Sequence, residues 1–196
     1  MTLVPLRFAG VGMEATQSRV VGVRTFGDEV LAAIAPLGLA LAAGSALVVD
    51  LDPDGPPYPG ERSLVDMAAD GPTRSELTPG RTRVATLRNG GADPDLGAQV
   101  VRVLAASWPV VVVRVGHFPV PFPIIPVRPL WPGFMTPVGE RPSVWQRVRG
   151  GGDPPGPGPV LPPPGRRAVM SLLAGHRPPA SRWVRSWAQV WELPWE

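Results

Sequence analysis

The sequence predicts an α/β protein: a three-layer, mostly parallel sheet with helices on both faces, then a proline-rich arm and short C-terminal helices. Two observations predict it. Between residues 20 and 115, strand-like and helix-like runs alternate. The runs at 46–50 and 110–115 are also almost continuously apolar. A strand that is apolar on both faces must be covered on both, as in a parallel sheet held between helices.

The elements follow in order. Residues 20–24 form a first short strand. Gly27, Asp28 and Glu29 open a helix through Ala43, because carboxylates favour the positive end of a helix and Gly44 stands where one ends. Pro36 lacks an N–H and crowds the preceding turn, so it should kink or split that helix. Residues 46–50 are a buried strand ending on a carboxylate, and the Pro/Gly/Asp-rich stretch 52–60 is loop. Ser63 caps a short helix over 64–69, with Asp66 placed to answer it. Residues 84–87 form a strand closed by Asn89-Gly90-Gly91. Asp93 or Asp95 starts a helix through Ala106, with Leu96, Val100, Val103 and Leu104 on one face. Residues 110–115 are the most apolar strand.

After Gly116 the character changes. Proline recurs through 117–142, and 150–165 is rich in glycine and proline. The segment 118–132 is expected to be a covering strap or an extended arm, and neither a helix nor a central strand. Two helices follow, over 166–175 and 181–193. The expected organisation is an α/β domain over 1–116, an arm and linker over 117–165, and a Trp-rich helical tail over 166–196.

Composition removes several chemistries. The chain has 196 residues with no cysteine, and all 19 of its basic residues are arginine. Without cysteine there are no disulfides, iron–sulfur clusters, thiolate nucleophiles or thiolate zinc sites. Without lysine there is no Schiff-base chemistry and no lysine-dependent phosphate loop. The net charge of +3 conceals an acidic first half and a basic second half, so the second half suits an acidic partner. The N-terminal residues have neither the basic opening nor the apolar stretch of a signal peptide. The uncharged run 30–49 reads as an alanine-rich helix followed by a strand, not as a membrane span. A soluble, cytoplasmic protein is the expectation.

The stretch Leu47-Val-Val-Asp-Leu-Asp-Pro-Asp-Gly55 resembles the strand and Asp-x-Asp-Pro loop of the deviant-Walker P-loop ATPases of the ParA/MinD type, which position plasmids and division septa. Residues 61–66 and 84–90 look like the next helix and strand of that family, so the resemblance spans roughly residues 22–115. It implies a nucleotide site one helix upstream of Asp50. There the family carries a glycine-rich loop with two lysines and a magnesium-binding hydroxyl. This chain reads Val23-Arg-Thr-Phe-Gly-Asp-Glu29 instead. Arg24 stands near the first lysine, and acids stand at the second lysine and the hydroxyl. Gly10-Val-Gly-Met-Glu-Ala-Thr16 resembles a phosphate loop without its lysine, but lies too far upstream. Where the family's next metal-side aspartate would end strand 110–115, Arg114, Gly116 and His117 stand. The implied protein keeps the scaffold and has lost nucleotide hydrolysis.

In a parallel sheet, ligands sit beyond the carboxyl ends of the strands. Asp50, Asp52, Asn89 and His117 are therefore the candidates for a ligand rim. Asp50 and Asp52 equally suit backbone N–H bonds in the turn that follows them. His117 and His176 lie far apart, with too few neighbouring ligands for zinc. Trp183, Trp187, Trp191 and Trp195 recur every four residues, a stripe that either packs on the sheet or docks a partner. With Arg182 and Arg185 beside it, Trp183, Trp187 and Trp191 are the partner-binding candidates.

The expected function is a non-catalytic interaction or regulatory protein. It would dock a protein partner through its basic, Trp-rich C-terminal half, with no cofactor and no metal. An enzyme acting on a small ligand or phosphate ester at the strand-end rim is one alternative. Arginine-mediated binding to nucleic acid is another, and an anionic membrane surface is a further partner class.

Overall fold

The computed structural model describes residues 18–74, 84–133 and 141–195. The phosphate-loop-like stretch 10–16 lies outside the described residues. Seven strands form one sheet: β1 (Arg19–Thr25), β2 (Ala46–Asp50), β3 (Val84–Leu87), β4 (Val110–Arg114), β5 (Ile124–Leu130), β6 (Val144–Arg147) and β7 (Val160–Leu161). Their spatial order is β3-β2-β4-β1-β5-β6-β7, and every pairing is parallel.

The helices are α1 (Glu29–Ala43), α2 (Leu64–Asp70), α3 (Pro94–Ala105), α4 (Arg166–Leu173), α5 (Arg182–Ser186) and α6 (Ala188–Trp191). α1, α4, α5 and α6 pack together on one face of the sheet, around a core with Val21, Val48, Val112 and Ile125. α2 and α3 cover β2 and β4 on the other face, over Leu47, Val49, Val111 and Val113. This is the three-layer arrangement that the apolar strands predict. Among the described residues, no helix is long and apolar enough to cross a membrane.

The arm reading of 117–165 needs correction. The sheet continues through this segment, and β5 is a central strand between β1 and β6 in spite of Pro126 and Pro129. Backbone parity explains how. Gly22 N–H donates to the Pro123 carbonyl at 2.7 Å and Phe26 N–H to the Val127 carbonyl at 3.2 Å, so the odd residues of β5 face β1. The even residues therefore face β6. Pairing with β6 begins at Val127, after Pro126, and pairing with β1 ends at Val127, before Pro129. Each proline places its missing N–H where no neighbour is paired.

Two helix expectations also change. α1 runs unsplit through Pro36, held against the sheet by burial along most of its length. The single helix expected over 181–193 is two short ones, α5 and α6, meeting at Trp187.

Candidate functional site

β2 carries Asp50 at its last position and β4 carries Arg114 at its last position, in register with each other. Both side chains point to the α1 face, and both are 1 % exposed. The guanidinium grips the carboxylate in a bidentate pair, Nε to Oδ1 at 2.7 Å and Nη2 to Oδ2 at 2.6 Å. Its Nη1 donates to the Pro56 carbonyl at 2.7 Å, and its plane lies 4.7 Å from the Tyr58 ring centroid. Tyr58 Oη donates to the Ala33 carbonyl, in the α1 turn just before Pro36. Burial pushes the Asp50 carboxyl up from its ordinary value, against the pull of Arg114 and of the Asp52 N–H. Burial likewise pushes the Tyr58 hydroxyl well up, so it remains a neutral donor.

Asp52 and Asn89 of the rim are also tied into the fold. Asp52 donates its N–H to Asp50 Oδ1 at 3.0 Å, and its own carboxylate accepts from Asp54 N–H at 3.3 Å. Asn89, buried, donates to the Asp50 and Ala92 carbonyls and accepts from Gly91 N–H. The structure thus gathers Asp50, Asp52 and Asn89 into one hydrogen-bonded knot. His117 stands apart and exposed, its ring edge-on to Phe26 at 6.4 Å. Among the described residues, no group of three or more potential metal ligands is assembled.

Sequence reasoning missed Arg114 and Tyr58 as the partners of Asp50. A signal was present: a carboxylate ending a buried strand needs a cation, and Arg114 is the only charge in residues 110–115.

The β1–α1 connection is short. Phe26 and Gly27, the latter at φ 70°, lead directly to Asp28, the N-cap of α1. Asp28 Oδ1 accepts from Leu31 N–H at 2.8 Å, so the chain's own carboxylate caps the N-terminus of α1. Arg24 points to the opposite sheet face. It donates from Nε to the Gly116 carbonyl at 2.9 Å and from Nη2 to the Phe118 carbonyl.

The tryptophan candidates divide by burial. Trp183 and Trp187 lie in the core, 1 % and 0 % exposed, edge-to-face with centroids 5.6 Å apart. Trp183 Nε1 donates to Gln146 Oε1 at 2.7 Å. Trp191 is partly buried, donates to the Leu39 carbonyl at 3.0 Å and lies under the Arg19 guanidinium. The stripe joins the tail to α1 and is not a free docking face, a correction to the expectation for Trp183 and Trp187. Arg182 and Arg185 point to solvent. No family model, curated protein or solved structure matches this chain.

Proposed function

We propose that this protein is a non-catalytic interaction or regulatory protein on a scaffold like that of the ParA/MinD-type ATPases, and that it binds an acidic protein partner through its C-terminal helical layer. The observation that carries this reading is the closed start of α1. A carboxylate caps the helix where the resemblance expects a phosphate cradle, and Asp50, a ligand-rim candidate, is sealed against Arg114. Two carboxylates at that helix start would repel a triphosphate.

The docking half of the reading rests on charge and exposure. Arg166, Arg167, Arg177, Arg182 and Arg185 are exposed, and Glu192 is the only acid within 166–195. Met170 and Leu173 on α4 are exposed beside Arg166 and Arg167. Arginine and methionine are enriched at protein interfaces. Calorimetric titration with ATP or GTP and magnesium should give no binding, and micromolar affinity would overturn the non-catalytic reading. Charge reversal at Arg182 and Arg185 should weaken binding to an acidic polyglutamate peptide. Tighter, steeply salt-dependent binding to an oligonucleotide would favour nucleic acid instead.

A further inference from the structure

The face carrying α2 and α3 has a gap over β5. The connection 116–123 lies across β1, with Phe118, Val120 and Phe122 packed on the apolar cluster of that face. Beyond it opens a cavity of about 550 Å³, within the range of small-molecule sites, roughly 300–1,000 Å³. Ile124 and Pro126 of β5 form its floor, and the rings of Phe26, Phe122 and Trp195 line it. Among the described residues, Arg24 and Arg141 are its charged groups.

Arg24 and Phe26, at the carboxyl end of β1 and just beyond it, border the cavity, and its floor is the amino-terminal half of β5.

Among the described residues, no carboxylate lines the cavity, and Arg24, Arg128 and Arg141 make no ion pair. Carbonyl bonds to Gly116 and Phe118 fix the Arg24 guanidinium, and burial without a counter-charge lowers its pKa from the ordinary value. Arg128 lies against the Phe26 ring, 4.4 Å from its centroid, and its buried Nε has no hydrogen-bond partner among the described residues. Aromatic walls with the fixed Arg24 guanidinium and the Arg141 side chain beside them suit a flat ring bearing one negative charge.

We propose that this cavity binds a small aromatic carboxylate, with its ring among Phe26, Phe122 and Trp195 and its charge at Arg24 and Arg141. The site shares no residue with the C-terminal docking surface and stands independently of it. The test uses the full chain, with 2-naphthoate as probe and 2-naphthylmethanol as its uncharged counterpart. Saturable one-to-one binding of 2-naphthoate is expected, at least tenfold tighter than the alcohol, with NMR shifts centred on Phe26, Phe122 and Trp195. Arg141 is exposed, so Arg141→Gln should keep the melting temperature and weaken 2-naphthoate about tenfold, the scale of one charge-assisted hydrogen bond. Ile124→Trp, checked by melting to be folded, should abolish binding by filling the floor. Equal affinity for the two probes, unchanged affinity in a folded Ile124→Trp variant, or no binding at millimolar probe would each overturn the proposal.

Discussion

Arg114 and Asp50, 64 residues apart in sequence, meet as a bidentate ion pair between the ends of adjacent parallel strands, with almost no exposure to solvent. Desolvating two charges costs several kcal/mol per ion, and only close geometry with further hydrogen bonds offsets it. The pair has both. Pro56 and the Asp52 N–H take up further polar valences, and Tyr58 covers the guanidinium face.

Breaking one side should therefore cost more than removing both. Arg114→Met strands a buried carboxylate and should lower unfolding stability by about 3–5 kcal/mol. The double variant Asp50→Leu/Arg114→Met strands no charge and should recover most of that loss. Urea denaturation of the two variants measures the difference. A double variant as unstable as the single one would mean that the pair itself, and not the avoidance of an orphan charge, holds the strand ends.

Gly38 lets α1 approach the tryptophan pair. A Cβ there would stand 2.4 Å from Trp187 Nε1 and 2.7 Å from Trp183 Cη2. In a helix, Gly→Ala alone gains about 0.5–1 kcal/mol, whereas overpacking a closed core costs about 1–3 kcal/mol. Both rings are fully buried and cannot swing aside, so overpacking should win. Gly38→Ala should lower the melting temperature, and a rise would show that the tail can shift away from α1.

The Ser63–Asp66 capping box gives a pH dependence with a defined sign. Ser63 donates its N–H at 2.8 Å and its hydroxyl at 2.7 Å to Asp66 Oδ2, and these bonds hold the Asp66 carboxyl below its ordinary value of 3.8. A depressed folded pKa means that the contribution is complete above the ordinary value and lost as pH falls below it. The stability difference between the wild type and Asp66→Ala should thus be flat near neutrality and shrink below about pH 4. A difference that grows on acidification would reverse the assignment.

Much of the fold from β1 to β4 is legible in the sequence, because the signals for its elements are local. The Asp28, Ser63 and Asp93 caps act within three residues of themselves, and the apolar runs of β2 and β4 announce burial directly. What is not legible is long-range. The buried end of β2 calls for a cation, but only the pairing of β2 with β4 brings Arg114 to Asp50, and the four-residue spacing of Trp183 and Trp187 is the same whether the rings face a partner or Gly38. Only the chain's return to α1 decides that, through partners such as Gln146 on β6. The same holds for β5, where proline content argues against a central strand and pairing offset alone permits one.

That offset predicts which residues of β5 tolerate proline. Pro126 and Pro129 direct their nitrogens to unpaired sides, so changing either to alanine removes no ladder bond. It should cost only the lost restriction of the unfolded chain, about 0.4–1 kcal/mol. Val127 faces β1 within the paired stretch and accepts from Phe26 N–H. Val127→Pro would delete a donor inside the ladder and leave a β1 carbonyl buried without its partner, at about 1–3 kcal/mol for that group alone. Chemical denaturation should rank Val127→Pro well below both alanine variants. If Pro126→Ala or Pro129→Ala proved as costly as Val127→Pro, the parity assigned to this strand would be wrong.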